Sequence, residues 1–511
     1  GQALRSTIVF FVLGFGFILY STFLTRSGIL GETSVHAFTG EGMNLQLLAL
    51  IAVFMIPSAW FLIRRHREIP QIQTEENISA REFWMYIGSL LFFLSAILII
   101  GQTSLPVFNK IFGTTIAPPE DVEFSYNSVQ IYIAIMLALL TGFTYYLKYK
   151  QTGMDLFWKR ISIPLLITLL LGIGFAWYIG IRYDQKGLGF QTALWIAAIC
   201  SIFSLIANAS YIWIGIKGNL AKSGGAIAHV GFALTLLAIV VTSSNKQVIS
   251  ENNTGFLTPL GKGENPRQNL TLVKDIPSEM GRYKVTYERD SVHPKKKLWY
   301  YKVRFKSNDG KEEFVLYPNA FVNYKGQQGL MANPDAKHYW DHDVFTYVTS
   351  LPDPDKKEDT TRFTSKTVMP GDTTFYSKGF ITFGQPNLID SLPVELFGEG
   401  GQVVELPVSI HRRTGETATV TLKAAWAKKQ WLPLPDTMQA EGMIMQLEEQ
   451  KKDGSLVVGI KESDTLLKYV TLKAFHYPYI QFLWFGIWLT AAGLLISMRR
   501  RMQQWLQANR T

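Results

Sequence analysis

Two histidines and one arginine stand where an apolar chain gives them chemical leverage. The stretch Thr25-Arg26-Ser27-Gly28-Ile29-Leu30-Gly31-Glu32-Thr33-Ser34-Val35-His36-Ala37-Phe38 follows the mostly apolar run from Ser6 to Leu24. Such a run of about 20 residues is long enough to cross a bilayer. A neutral imidazole at the mouth of a membrane helix can ligate a metal or a haem iron. A guanidinium beside it can grip a carboxylate or a haem propionate through paired hydrogen bonds. The alternative is an interfacial loop, in which Arg26 meets lipid head groups and His36 caps a turn. His229 lies inside a later apolar run, in Gly224-Gly225-Ala226-Ile227-Ala228-His229-Val230-Gly231. An ionisable residue at membrane depth is costly and by default functional. The small residues around it admit either a flat ligand or a close neighbouring helix, and in the second case His229 would only bond across that contact.

Other candidates are weaker. His338 and His342 fall four apart and would share a helix face as a metal pair, but the nearby Pro and Asp favour a loop. His476 enters the last apolar run and is a second candidate on the side of His36. Cys200 is the single cysteine, which excludes a disulfide framework, a cysteine metal site and a haem-attachment CxxCH within the chain. No serine–histidine nucleophile or glycine-rich phosphate loop is present, so ATP hydrolysis is not expected.

These residues need elements to hold them. With 511 residues, 48% apolar content and a mean hydropathy of +0.11, the composition predicts several membrane spans plus one sizeable polar domain. Eight runs qualify as spans: 6–25, 43–63, 84–102, 127–147, 161–181, 191–215, 225–243 and 478–498. The net charge of +10 does not point to nucleic acid, because the basic residues cluster beside spans. One set of connections holds Arg64, Arg65, Arg67 and Arg81, then Lys148, Lys150, Lys159 and Arg160, then Lys217 and Lys222, then Arg499–Arg501. The other holds only Arg26, Lys110, Arg182 and Lys186. The positive-inside rule makes the first set and both termini cytoplasmic, with His36 outside. Segment 244–477 alternates polar and apolar residues near 282–288, 298–306, 417–422 and 456–460, with Gly and Pro between, and reads as short antiparallel strands. The expected architecture is thus mostly α. Residues 1–243 form a seven-helix membrane domain carrying His36 and His229, 244–477 a β-rich extracytoplasmic domain, and 478–511 a last span with a basic tail. His36 and His229 belong to opposite ends of spans, and a hydrocarbon core of about 30 Å keeps them from sharing one iron.

The run from Thr25 to Phe38, the Gly224–Gly231 stretch and the end of the chain from Tyr469 to Arg501 resemble the CcmF family of cytochrome c maturation proteins, the haem lyase subunits. The family's tryptophan-rich WWD-type motif and the two histidines beside it are not found in this sequence. The chain opens at Gly1 near the end of where that motif would lie, which suggests the C-terminal two thirds of such a protein or a split-gene product. The resemblance implies a multi-pass protein of the inner (cytoplasmic) membrane with its large domain in the periplasm. It implies that His36, with Arg26 nearby, is one axial ligand of haem in transit at an outer site, and His229 one axial ligand of a haem b at an inner site. The implied activity is that of an incomplete haem lyase (holocytochrome c synthase) subunit, presenting haem for thioether attachment to apocytochrome c outside the membrane. The implied partners are apocytochrome c, a haem chaperone, other maturation subunits and a quinol. A haem transporter or permease, or an assembly scaffold without covalent chemistry, is the alternative that eight spans and a midplane histidine also fit.

Overall fold

The computed structural model describes residues 4–30, 43–69, 77–117, 119, 121–183, 186–254, 258, 260–261, 264–295, 297–323, 329–352, 361–389, 402–412, 415, 417–427, 430–438, 441–463 and 468–508. Nine α-helices occur among them: α1 Leu4–Arg26, α2 Asn44–Arg65, α3 Arg81–Thr103, α4 Leu105–Phe112, α5 Val122–Phe143, α6 Met154–Tyr178, α7 Leu188–Ile214, α8 Gly224–Asn245 and α9 Ile480–Ala508. All but the short α4 are long and apolar enough to span a bilayer, α5 with the 3₁₀ turn Thr144–Tyr146 that extends it. The protein is a multi-pass membrane protein. Helix is the conformation that satisfies every backbone group within the segment, as a bilayer core demands, and it tolerates Pro57 and Pro164 inside α2 and α6.

The helices pack unevenly. α5, α7 and α8 form the interior of the bundle, whereas α1, α2 and α3 present long apolar side chains such as Phe11, Val53 and Phe92 outward, as lipid-facing helices do. In α7 the fully buried Ala197, Ala198 and Ala207 let neighbours approach closely. Ala197 and Ala198 share a cluster with Ile131 of α5, Phe175 of α6 and Val240 and Val241 of α8. A polar seam joins α5 to α7. The Thr141 and Ser204 hydroxyls lie 2.9 Å apart, and the Asn208 amide donates to the Thr141 carbonyl at 2.9 Å. A buried amide of this kind fixes helix register, because slipping it would strand its hydrogen bonds in hydrocarbon.

The two ends of the bundle differ in chemistry. At one end the α2–α3 and α5–α6 connections meet, where Arg81 donates its backbone N–H to the Lys148 carbonyl (2.9 Å) and Thr152 donates to Ser79 Oγ (3.4 Å). The α7–α8 connection meets the C-terminal helix there too, through Arg500 and the Lys222 carbonyl at 3.4 Å. At the other end Lys186 pairs with Asp121, and Asn245 donates to the Gly180 carbonyl at 3.2 Å. The β region springs from this second end. α8 runs into the strand Gln247–Val248, the strand Tyr469–Pro478 runs into α9, and Thr242 donates to the Pro478 carbonyl at 2.8 Å.

Among the described residues, the β region holds two separate hydrophobic cores. The first packs a five-stranded sheet, centred on the antiparallel pair His342–Ser350 and Tyr469–Pro478, against a six-stranded sheet built around Tyr283–Val292 and Trp299–Ser307. Tyr283, Tyr287, Phe305, Leu270, Val344 and Leu472 fill the space between them. The second core lies between a six-stranded sheet built on Gln402–Arg412 and Thr417–Ala427 and a four-stranded sheet built on Met443–Gln450 and Leu456–Glu462. Ile381, Leu406, Leu422, Met443 and Val458 are its centre. Ser350 pairs with Thr471, so the strands that lead out to the second core and back lie side by side in the first. The alternating stretches near 282–288, 298–306, 417–422 and 456–460 all fall on these strands, and Gly310 and Gly371 take the positive φ (71° and 93°) that their turns require.

Candidate functional site

His229 sits between one and two turns into α8, at the end of the bundle where the Lys- and Arg-rich connections gather. Its ring is 5.2 Å from that of Tyr145, which follows α5 in the 3₁₀ turn. Tyr145 in turn lies 5.0 Å from the ring of Tyr211 on α7 and carries the Arg81 guanidinium 4.2 Å above its face. Four elements therefore converge on this point: the start of α3, the end of α5, the end of α7 and the start of α8. Nδ1 of His229 is buried without a hydrogen-bond partner. An unsatisfied buried nitrogen of this kind costs about 1–3 kcal/mol. The neutral imidazole has a lone pair to offer a metal, so the ring fits a haem-iron ligand and gains a bond when it serves as one.

The small residues around His229 divide by face. Gly224, Ala228 and Gly231 are used by α9 rather than by a ligand. A Cβ on Gly231 would come within 2.4 Å of the Thr490 nitrogen, and one on Gly493 within 2.3 Å of the Ala228 nitrogen. Thr490 also donates its hydroxyl to the Ala228 carbonyl at 3.4 Å. Gly225 is different. It is one turn before His229 on the same face, and a Cβ there would lie 2.1 Å from the Tyr145 hydroxyl. The sequence left open whether this glycine cluster admits a ligand or a helix; the structure assigns most of it to the helix.

The outer candidates are less complete. His36 lies outside the described residues. Arg26 is the last residue of α1 and is exposed. After it Ser27 is buried, and its Oγ accepts from the Ile29 N–H at 3.3 Å. Gly28 adopts φ 70°, which turns the chain so that Leu30 packs back on Phe23, Leu24 and Leu47. The chain therefore turns sharply after α1, as far as Leu30.

A second polar cluster lies in the first β core, next to α9, and only its separate members were visible in the sequence. His338 and His342 end and begin the two strands of a hairpin, and each takes a carboxylate: His338 Nδ1 to Asp343 Oδ2 and His342 Nδ1 to Asp341 Oδ1, both 2.8 Å. Arg282 donates to His342 Nε2 at 3.1 Å, and the His342 ring stacks on Tyr339 (4.3 Å) and on His476 (4.6 Å). No group of three or more His, Cys, Asp or Glu suited to a metal ion occurs among the described residues.

No family model matches the chain. Three curated relatives align with nearly half of it. The cytochrome c-type biogenesis protein CcmF of Escherichia coli is 23% identical over 239 residues, 47% of this chain and 36% of that protein. CcmF of Haemophilus influenzae is 24% identical, over 47% of this chain and 37% of that protein. CcmF of Pseudomonas fluorescens is 26% identical, over 47% of this chain and 36% of that protein. The chain thus spans little more than a third of the length of these relatives. A solved structure of the cytochrome c haem lyase CcmF aligns with 96% of this chain and 54% of its own at 13% identity, with a TM-score of 0.40, too low to bear on the fold. By its sequence matches, this multi-pass chain is a relative of the CcmF family of cytochrome c-type biogenesis proteins.

Proposed function

We propose that the chain is a haem-handling membrane component of cytochrome c maturation. In this reading it lies in the inner membrane, with residues 244–477 facing the periplasm. One observation carries the proposal: a buried imidazole with a free ring nitrogen, His229, stands inside a span of a chain related to cytochrome c biogenesis proteins. His229 would supply one axial ligand to a resident haem b. When bound, that group supplies a one-electron carrier. The protein's part is to hold it through α8, which α9 clamps backbone to backbone.

The haem that leaves the protein is substrate. In the attachment reaction each of two cysteine thiols of an apocytochrome adds its S–H across a haem vinyl group, the sulfur forming the thioether bond and the proton going to the other vinyl carbon. His36 would hold that haem from one side, with Arg26 near its propionates. Binding haem and thiols in one geometry removes most of the entropic barrier to their reaction. A haem chaperone, apocytochrome c, other maturation subunits and a quinol would be the partners.

The test is His229→Ala in the full protein, purified from membranes. An alanine suits the bilayer, so insertion should persist. The expected outcome is loss of b-type haem, read by absorption spectrum and haem-to-protein ratio, and loss of covalent haem on a co-expressed c-type cytochrome. An unchanged spectrum and ratio would reduce His229 to a packing residue.

A further inference from the structure

Arg81 opens α3 half-buried, in the first turn of the helix, where the positive end of the helix dipole already disfavours a cation. Its guanidinium lies over the Tyr145 ring and hydrogen-bonds the Tyr145 side chain, and no carboxylate among the described residues pairs with it. The adjacent acid, Glu82, is engaged by the Tyr149 hydroxyl at 3.2 Å. A guanidinium cannot discharge itself by losing a proton. Half-buried without a counter-charge, beside a helix N-terminus, it makes a local site for an anion. Tyr145 fixes the direction of that site, because its hydroxyl is seated on Gly225 and its ring touches both Arg81 and His229.

We propose that Arg81, oriented by Tyr145, is the carboxylate-binding residue of the site in which His229 is the iron ligand, and that it takes a haem propionate. The inference rests on haem ligation by His229 and deepens it. Three observations carry it together: the guanidinium with no carboxylate partner among the described residues, the single tyrosine ring that links it to the imidazole, and the buried free nitrogen of that imidazole. A porphyrin presents its iron and its carboxylates at separate points of one rigid plane. The two-point grip needs a cation displaced from the ligand, and Arg81 is displaced by one aromatic ring. The glycine at 225 is required in this arrangement, since any side chain there would displace Tyr145 and, with it, Arg81.

The experiment uses the full protein in detergent, stripped of haem and titrated with haem or with haem dimethyl ester, which keeps the iron and loses both carboxylate charges. Wild type should bind haem roughly tenfold or more tightly than the ester, the scale of one charge-assisted hydrogen-bonded pair. Arg81→Gln should bind the two alike, near the affinity of wild type for the ester, and keep the axial-ligand bands of the wild-type spectrum. Arg81→Lys should recover part of the preference, because charge returns without the fork. If Arg81→Gln prefers haem over the ester by the wild-type factor, Arg81 does not see the propionates; a lipid head group or a purely structural role then accounts for it, and the proposal falls. Should His229→Ala leave haem binding and spectrum unchanged, the underlying ligation fails instead, and the proposal with it.

Discussion

Two stacked imidazoles show how a single residue gains meaning from neighbours that the sequence keeps far apart. His338 and His342 are four residues apart and invite a metal-pair reading, yet the hairpin sends them to different carboxylates, and the true neighbour of His342 is His476, on the strand that follows the whole second core. No local pattern carries such a contact. Arg282 donates to Nε2 of His342, so that nitrogen is an acceptor and Nδ1–H faces Asp341. His476 keeps a buried Nδ1 without a partner. Burial, with the neighbouring His342 and Arg282 adding to it and Asp341 opposing, holds the His476 imidazole below its usual range. The sign of the stability effect follows. Below about pH 6.5 the unfolded chain takes up a proton here before the folded one does, so stability falls as pH drops from 6.5 toward the lowered folded value. Thermal unfolding of the purified protein should show that loss, and His476→Phe, which keeps a ring for the stack, should flatten it. Equal pH slopes in the two proteins would show that His476 is not the group responsible.

Among the elements, α8 and α9 carry matching stripes. Gly224, Ala228, Gly231 and Thr235 repeat at spacings of four, three and four, and so do Gly486, Thr490, Gly493 and Ser497. Run antiparallel, the two stripes meet residue on residue, Gly224 at Ser497 and Gly231 at Thr490 and Gly486. Small residues at such intervals are how membrane helices gain contact where hydrophobicity offers no drive between them. The pattern was legible as small residues near His229, but its purpose was not, because one stripe alone serves a ligand as well as a helix. The spans themselves were legible from hydropathy, whereas α4 was not: eight residues are too few for a span. The last helix also runs past 498 through Arg499–Arg501 to Ala508, where polarity had suggested an end. Gly493→Leu should cost about 1–3 kcal/mol by overpacking. Gly101→Leu, at a position with open space around it, should cost little. Denaturant midpoints for the two variants would check the contrast, and equal losses would dissolve the stripe as a packing device.

At the scale of the whole molecule, alternation of spans leaves little freedom. The connections rich in Lys and Arg gather at one end of the bundle through Arg81 and Lys148 and through Arg500 and Lys222, and both β cores hang from the other end. That the polar segment would be β-rich was legible from its alternating residues and turn glycines. Its division into two cores was not, because the strands that pass between them, ending at Ser350 and resuming at Tyr469, alternate no differently from the rest. Orientation is the remaining choice, and the proposed one rests on one rule. Moving a cationic connection across an energised membrane opposes the potential and the insertion machinery, which favours the proposed placement of the basic end in the cytoplasm. A single reversal would move everything at once: His229, Arg81 and the C-terminal helix would exchange sides with the β region. A reporter that folds only outside the cytoplasm, fused at the Gly310 turn, should therefore be active, and one fused near Gln71 inactive. A cytoplasmic reporter at the same two places should give the opposite result. The Gly310 turn is a sound place for the fusion, since it is exposed and has open space around it. If the signals come out reversed, His229 would lie at the outer face, and the assignment of an inner haem to α8 would have to be abandoned along with the topology.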